Sequence, residues 1–194
     1  MKPELVQLLK EIELFGDAND LEVNERSQKM LNITHDTGEL LSVLINSINA
    51  KNILEIGTSN GYSTIWLAYG AEKINGKVRT IEFSEYKISL ASDNFYKSGL
   101  QKYIQQIHGD AGLQLTTFAD NEMDFIFLDS NRSDYLNWWP HIKRILRSGG
   151  LLVVDNATSH AEELKPFMEL VRADGEFITS LLPVGNGEFL ASKL

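Results

Sequence analysis

The chain contains no cysteine. Disulfides and thiolate metal sites are therefore excluded, and a reducing, cytoplasmic location is the expected one. Long apolar runs are also missing. The longest, such as Leu151–Val154, fall far short of the roughly 20 residues that a bilayer span requires. The opening residues, MKPELVQLLKEIELFGD, place acids among their apolar positions and so do not read as a secretory leader. There are no low-complexity tracts, repeats or linkers to divide the chain, and 194 residues suit one α/β domain, 1–194. Positive charge is scarce: 18 Lys and Arg against 27 Asp and Glu give a formal net charge of -9. Proteins that grip polyphosphate backbones carry basic surfaces, so neither nucleic acid nor a membrane is an expected partner.

What is present is patterned. Leu5, Leu8, Leu9, Ile12 and Phe15 recur at helical spacing up to Gly16. A second helix is expected near Leu21–Leu31. A third, capped by Asp36 or Thr37, carries Leu40, Leu41, Leu44, Ile45 and Ile48 on one face. Residues 1–50 thus form a helical cap. From residue 51 short apolar strands alternate with helices. Strands are expected at 52–56, 77–81, 103–108, 123–128 and 151–154, which is the pattern of a buried parallel sheet with helices on both faces. Two more strands, 177–182 and 188–192, are separated only by Pro183–Gly187. That gap is too short for a parallel crossover, so they should pair as an antiparallel hairpin.

The chemistry collects at strand ends. After the first strand comes Gly57-Thr58-Ser59-Asn60-Gly61-Tyr62-Ser63, with Glu55 just before it. Glycines there let backbone approach a ligand, and open α/β sheets bind ligands at the carboxyl ends of their strands. Glu82 ends the second strand 25 residues past Gly57. That is close to the spacing of about 20 at which an acid accepts ribose hydroxyls. Phe83 follows it, and Asp110-Ala111 follow the third strand, where Asp110 could take an adenine amino group. The loop lacks G-x-G-x-x-G, which disfavours a pyrophosphate and suits S-adenosylmethionine, a nucleoside cofactor without phosphate. Gly57–Gly61 also matches the G-x-S-x-G nucleophile elbow, but that elbow follows several strands rather than the first.

A second constellation joins Asp129, at the end of the fourth strand, to Asp155 and Asn156, at the end of the fifth. Adjacent parallel strands would set these side by side. Two carboxylates and an amide oxygen suit a hard cation such as Mg²⁺, with positions left for water and substrate. Alternatively Asp129 and Asp155 only cap helices, or Asp129 only lines the cofactor pocket.

Taken together, Leu54-Glu55-Ile56-Gly57 with Gly61-Tyr62-Ser63, then Ile81-Glu82, Phe127-Leu128-Asp129 and Val154-Asp155-Asn156, resemble the cation-dependent O-methyltransferases, among them the catechol and caffeoyl-CoA enzymes. The resemblance runs from about Ile33 onward. It implies a class I, Rossmann-like open sheet of about seven strands, five parallel plus the hairpin, with helices on both faces and extra N-terminal helices. It also implies transfer of a methyl group from S-adenosylmethionine to a hydroxyl of a small, catechol-like molecule, with a divalent cation. One residue departs from it. The family commonly has a lysine three residues after the first aspartate, a proposed base, and here Arg132 stands there. Arginine stays protonated, so Arg132 could bind an anionic substrate group or pair with Asp134. The base would then be His160, or the cation would acidify the substrate alone. His160 could equally be plain surface, and Trp138-Trp139 fit core or interface better than a substrate wall. A metal-independent or tRNA-directed methyltransferase of the same fold, or a degenerate cofactor-binding module, are the competing readings. The apolar N-terminal helices leave room for a homodimer.

Overall fold

The central strands are largely apolar on both faces because helices cover both faces. The computed structural model describes residues 1–194. Its strands are β1 (Asn52–Ile56), β2 (Lys77–Glu82), β3 (Ile104–His108), β4 (Met123–Leu128), β5 (Leu146–Val154), β6 (Phe177–Leu182) and β7 (Glu188–Lys193). Its helices are α1 (Pro3–Glu22), α2 (His35–Ser47), α3 (Tyr62–Glu72), α4 (Glu85–Ser98), α5 (Ala111–Leu115), α6 (Tyr135–Ile145) and α7 (Ala161–Ala173). The strands form one seven-stranded sheet in the order β3-β2-β1-β4-β5-β7-β6. The first five are mutually parallel, and β7 runs antiparallel between β5 and β6, so the C-terminal hairpin is present. No helix is long and apolar enough to cross a membrane.

Successive strand residues point to opposite faces and so divide the interior in two. Ile53, Phe125, Phe127 and Val153 pack with Leu9, Leu41, Ile45, Ile65 and Phe95 from the first four helices. Leu54, Ile126, Leu128 and Leu152 pack on the other face with Trp139, Ile142, Phe167 and Val171 from α6 and α7. The chain order reverses at β1, where β2 lies on one side and β4 on the other. Such a switch point opens a crevice at the carboxyl ends of the strands.

The N-terminal segment departs from the pattern read in the sequence. The helix does not stop at Gly16 but continues to Glu22. Gly16 is there for closeness: a Cβ on it would overlap the Asn32 amide. Residues 21–31 are not a second helix. Only Arg26–Gln28 makes a short 3₁₀ turn, and the Asp20 carboxylate accepts from the Met30 and Leu31 N–H groups instead, at 2.7 and 2.8 Å. Phe15, which shares the helical spacing of Leu5, Leu8, Leu9 and Ile12, is 42% exposed, while those four are buried. Helix α2 is capped by Thr34 rather than Asp36 or Thr37, since Thr34 Oγ1 accepts from Thr37 N. Asp36 instead receives Gly185 N at 3.1 Å.

The opposite end of the sheet is pinned by Asp124. Its Oδ2 accepts the Lys51 and Asn52 N–H groups, each at 2.7 Å, and its Oδ1 takes the Arg147 guanidinium at 2.5 Å. Burial works to raise the Asp124 pKa, but the hydrogen bonds from Arg147, Asn52 and Lys51 outweigh it and hold the carboxyl below its ordinary value. A lowered folded pKa stabilises above the unfolded pKa and stops stabilising as pH falls through the folded one. Asp124→Asn should therefore cost about 1–3 kcal/mol in urea unfolding at neutral pH. The gap to the wild type should shrink in acid; equal unfolding midpoints at pH 7 would contradict this account.

Candidate active site

The backbone ladder of the sheet continues past its own strand ends. Gly109 N donates to Glu82 O at 2.9 Å, Gly57 N to Ile81 O at 3.0 Å, Asp129 N to Ile56 O at 3.1 Å, and Asp155 N to Leu128 O at 3.1 Å. These bonds fix the first residue beyond each strand in a single row. A cavity of about 1100 Å³ opens along that row.

One wall is the loop from Gly57 to Gly61. Gly57 has φ +109°, and a Cβ there would overlap the Asp129 carbonyl, so the loop can lie against the end of β4 only with glycine. Gly61, at φ +86°, starts α3. Ser59 N donates to Glu82 Oε2 at 2.9 Å, while Phe83 N and Ser84 N donate to Glu82 Oε1 at 3.0 and 2.9 Å. Glu82 is thus held by backbone on both oxygens at the cavity edge. Beneath the loop lies Glu55, fully buried, accepting from Ser63 Oγ at 2.5 Å, from Thr80 Oγ1 at 2.6 Å and from Thr64. Burial pushes its pKa up to about 7 against the pull of these three hydroxyls.

The other wall is acidic. Asp129 and Asp155 are both raised above their ordinary values. For Asp129 burial is the main cause and the Asp155 charge the next; for Asp155 the cause is burial, partly offset by hydrogen bonding and by the charges of Arg132 and His160. Asn156, at φ +65°, places its Nδ2 between them, 3.2 Å from Asp129 Oδ1 and 2.8 Å from Asp155 Oδ2. Glu188, at the start of β7, lies fully buried against Asp155. It accepts from Thr37 Oγ1 at 2.8 Å on one oxygen, and its other oxygen has no donor. Its carboxyl is raised strongly, by burial and then by the Asp155 charge.

The structure brings most of the residues singled out from sequence to this one cavity. Gly57, Thr58, Ser59, Tyr62, Ser63, Glu82, Phe83, Asp110, Ala111, Asp129, Arg132, Asp155, Asn156 and His160 all line it. Glu55 and Gly61 do not: Glu55 supports the loop from below, and Gly61 backs onto the Phe95 ring. Asp110 also caps α5, with its Oδ1 2.8 Å from Leu113 N. Arg132 pairs not with Asp134 but with Glu163, Nε to Oε2 at 2.8 Å, because α7 passes alongside; Asp134 takes the Asn131 amide. His160 Nδ1 lies 3.0 Å from Ser159 Oγ. Trp139 is core, edge-on to Phe167 and tilted against Phe177, but its neighbour Trp138 lines the cavity.

Sequence reasoning did not single out Met30, Lys87 or Glu188. Met30 accepts Ser59 Oγ on its carbonyl at 2.7 Å, and Lys87 Nζ donates to the Lys29 carbonyl at 2.7 Å. Lys87 has its pKa lowered by burial. Only the acidic start of an otherwise buried strand hinted at Glu188.

Glu55 also yields a pH expectation. Its folded pKa exceeds its unfolded one, so its stabilising contribution is complete below the ordinary glutamate range and is lost as pH rises through about 7. The wild-type advantage over Glu55→Gln in thermal unfolding should thus narrow between about pH 5 and pH 8, by about 1–3 kcal/mol. A gap independent of pH would mean that Glu55 is not titrating in that range.

Comparison with known proteins places this geometry. The O-methyltransferase family model matches residues 10–194. A catechol O-methyltransferase of Mycobacterium tuberculosis is 33% identical over 124 residues, 64% of this chain and 56% of that protein. A second, from Niastella koreensis, is 33% identical over 135 residues, 68% of this chain and 61% of that one. The chain therefore spans somewhat over half the length of these curated relatives. Among solved structures, the O-methyltransferase from Bacillus cereus in complex with SAH has a TM-score of 0.80 at 24% identity, over 97% of this chain and 91% of that one. The O-methyltransferase TomG from Streptomyces achromogenes, in complex with SAM, has a TM-score of 0.78 at 24% identity, over 100% of this chain and 90% of that one. The chain belongs to the O-methyltransferase family.

Proposed function

We propose that the protein transfers the methyl group of S-adenosylmethionine to a hydroxyl of a small, catechol-like molecule with the help of a divalent cation, most simply Mg²⁺. The observation that carries this reading is the shared row of strand ends. It sets Glu82 and the glycine loop at one end of a cavity and Asp129, Asp155 and Asn156 at the other. In this reading Glu82 accepts the ribose hydroxyls, Phe83, Asp110 and Ala111 flank the base, and Gly57–Asn60 face the methionyl part. Two of the relatives' structures hold SAM or SAH, which supports this choice of cofactor.

The residues fit a cation by chemistry, although no group of three or more His, Cys, Asp or Glu side chains is arranged to hold one. Two raised carboxylates repel each other, which a cation between them would relieve. Rotation of the Asn156 amide would turn its oxygen to complete an all-oxygen set. When bound, the cation would lower the pKa of a coordinated hydroxyl. The chain's own residues do the rest. The loop and Glu82 hold the sulfonium donor in place, and the walls exclude water from a direct displacement. One C–S bond breaks and one C–O bond forms, giving S-adenosylhomocysteine, a methyl ether and a proton. Arg132 cannot take that proton. His160 is the one imidazole lining the cavity and is open to solvent, so it is placed to pass the proton outward.

Calorimetric titration with S-adenosylmethionine should show binding to the wild type, weakened about tenfold or more in Glu82→Ala through loss of charge-assisted hydrogen bonds. Unaltered affinity in that variant would remove Glu82 from the cofactor site. Turnover of catechol should fall on chelation and return with Mg²⁺. Asp155→Ala should keep cofactor affinity yet lose turnover about a hundredfold, the scale of a lost electrostatic contact in a transition state. Full activity in chelator would favour a metal-independent enzyme of this fold. Cofactor binding without turnover of any acceptor would favour a binding module.

A further inference from the structure

The protein is strongly acidic overall, yet five basic side chains, Arg26, Lys29, Lys87, Arg132 and His160, line the cavity at the strand ends. Two of them serve the fold: Lys29 Nζ donates to Asp20 O at 2.9 Å, and Lys87 Nζ to Lys29 O. The other three come from separate parts of the chain. Arg26 sits on the 3₁₀ turn after α1, Arg132 on the turn after β4, and His160 immediately before α7. Arg132 pairs directly with Glu163, which stands on the first turn of α7 just after His160. The hydrogen bond from Arg132 holds the Glu163 carboxyl below its ordinary value against slight desolvation, and the charges of Arg132, His160 and Arg26 add to that effect.

The pairing is lopsided. The Arg132 side chain is only 7% exposed, whereas its partner Glu163 is 58% exposed at the rim. Only Arg132 Nε is used; neither terminal nitrogen has a protein acceptor, and neither is sealed from solvent. Arg26 donates no side-chain hydrogen bond within the chain. A guanidinium presents five donors in a planar fork matched to a carboxylate, and four of those on Arg132 remain available. Arg132 lines the same cavity as Asp129 and Asp155 and pairs with Glu163, which is open to solvent.

We propose that Arg132, Arg26 and His160 form a subsite for a carboxylate carried by the methyl acceptor, with Glu163 as the internal carboxylate that occupies it between turnovers. The acceptor class is then a hydroxylated aromatic carboxylic acid: its hydroxyls face Asp129 and Asp155 while its carboxylate displaces Glu163 from Arg132. Glu163 is an exposed side chain on the first turn of α7, so leaving Arg132 returns its carboxylate to water. This inference rests on the methyltransferase reading above and specifies its substrate.

The test is a matched pair of acceptors, 3,4-dihydroxybenzoate and catechol, which differ only in the carboxylate. The wild type should favour the acid in kcat/KM by about tenfold or more, the usual scale of a bidentate charge-assisted contact. Arg132→Gln and Arg26→Gln should each compress that ratio toward one, chiefly through KM for the acid, and Arg132→Lys should restore only part of it. Glu163→Gln, which weakens the internal competitor, should lower KM for the acid and leave KM for catechol unmoved. Equal kcat/KM for the two acceptors, or variants that slow both alike, would overturn the subsite while leaving the methyltransferase reading intact. A protein that binds S-adenosylmethionine and methylates neither would overturn both.

Discussion

The arrangement depends on a backbone ladder that does not end where the strands end. Four N–H groups, those of Gly109, Gly57, Asp129 and Asp155, each bond the carbonyl at or next to the end of a neighbouring strand. Main-chain hydrogen bonds of this kind cannot be made one at a time without leaving buried polar groups unpaired, so the row stands or falls together. Its consequence is positional. Side chains needed at opposite ends of one cavity are carried by adjacent strands at fixed spacing, with no loop of uncertain geometry between them and the core. Gly57 is the residue that permits it, because any side chain there would strike the Asp129 carbonyl.

The second constraint is electrostatic. Glu55, under the glycine loop, and Asp129, Asp155 and Glu188, in the facing wall, are all pushed toward protonation by burial. Burying carboxylates without partners is costly, and proteins keep such groups where the cost serves chemistry. Here each is answered differently. Glu55 has three hydroxyl donors, Glu188 has Thr37, and Asp129 and Asp155 share the Asn156 amide. Only the last pair opens to the cavity together with a neutral, reorientable ligand, and that difference separates supporting acids from those placed to meet a cation.

Much of this was legible in the sequence because parallel strands announce themselves as short apolar runs and the residue after each is forced to the rim. Gly57, Glu82, Asp110, Asp129, Asp155 and Asn156 were found that way, and the hairpin followed from a gap too short to cross the sheet. The resemblance to cation-dependent O-methyltransferases read from those residues agrees with the family match. The N-terminal helical segment was harder. Leu21–Leu31 has helical spacing, but Asp20 takes the Met30 and Leu31 N–H groups and turns the chain away. Gly16 looked like a helix end and is a contact point. The Arg132–Glu163 pair, 31 residues apart, could not be read because no local pattern shows which helix will pass beside a turn.

Glu188 closes the acidic wall from far along the chain: its hydrogen bond to Thr37 spans 151 positions. Contacts of such separation are made late, since the intervening loop entropy must first be overcome. The glycine loop and Glu82 instead hold each other locally, Ser59 bonding both Glu82 and the Met30 carbonyl. A nascent chain displayed only through α7 would then leave the β5 edge unpaired and Asp155 open to water. The two walls of the crevice thus differ in reach: the glycine loop and Glu82 rest on contacts within the first half of the chain, whereas the acidic wall is completed only by its last strand.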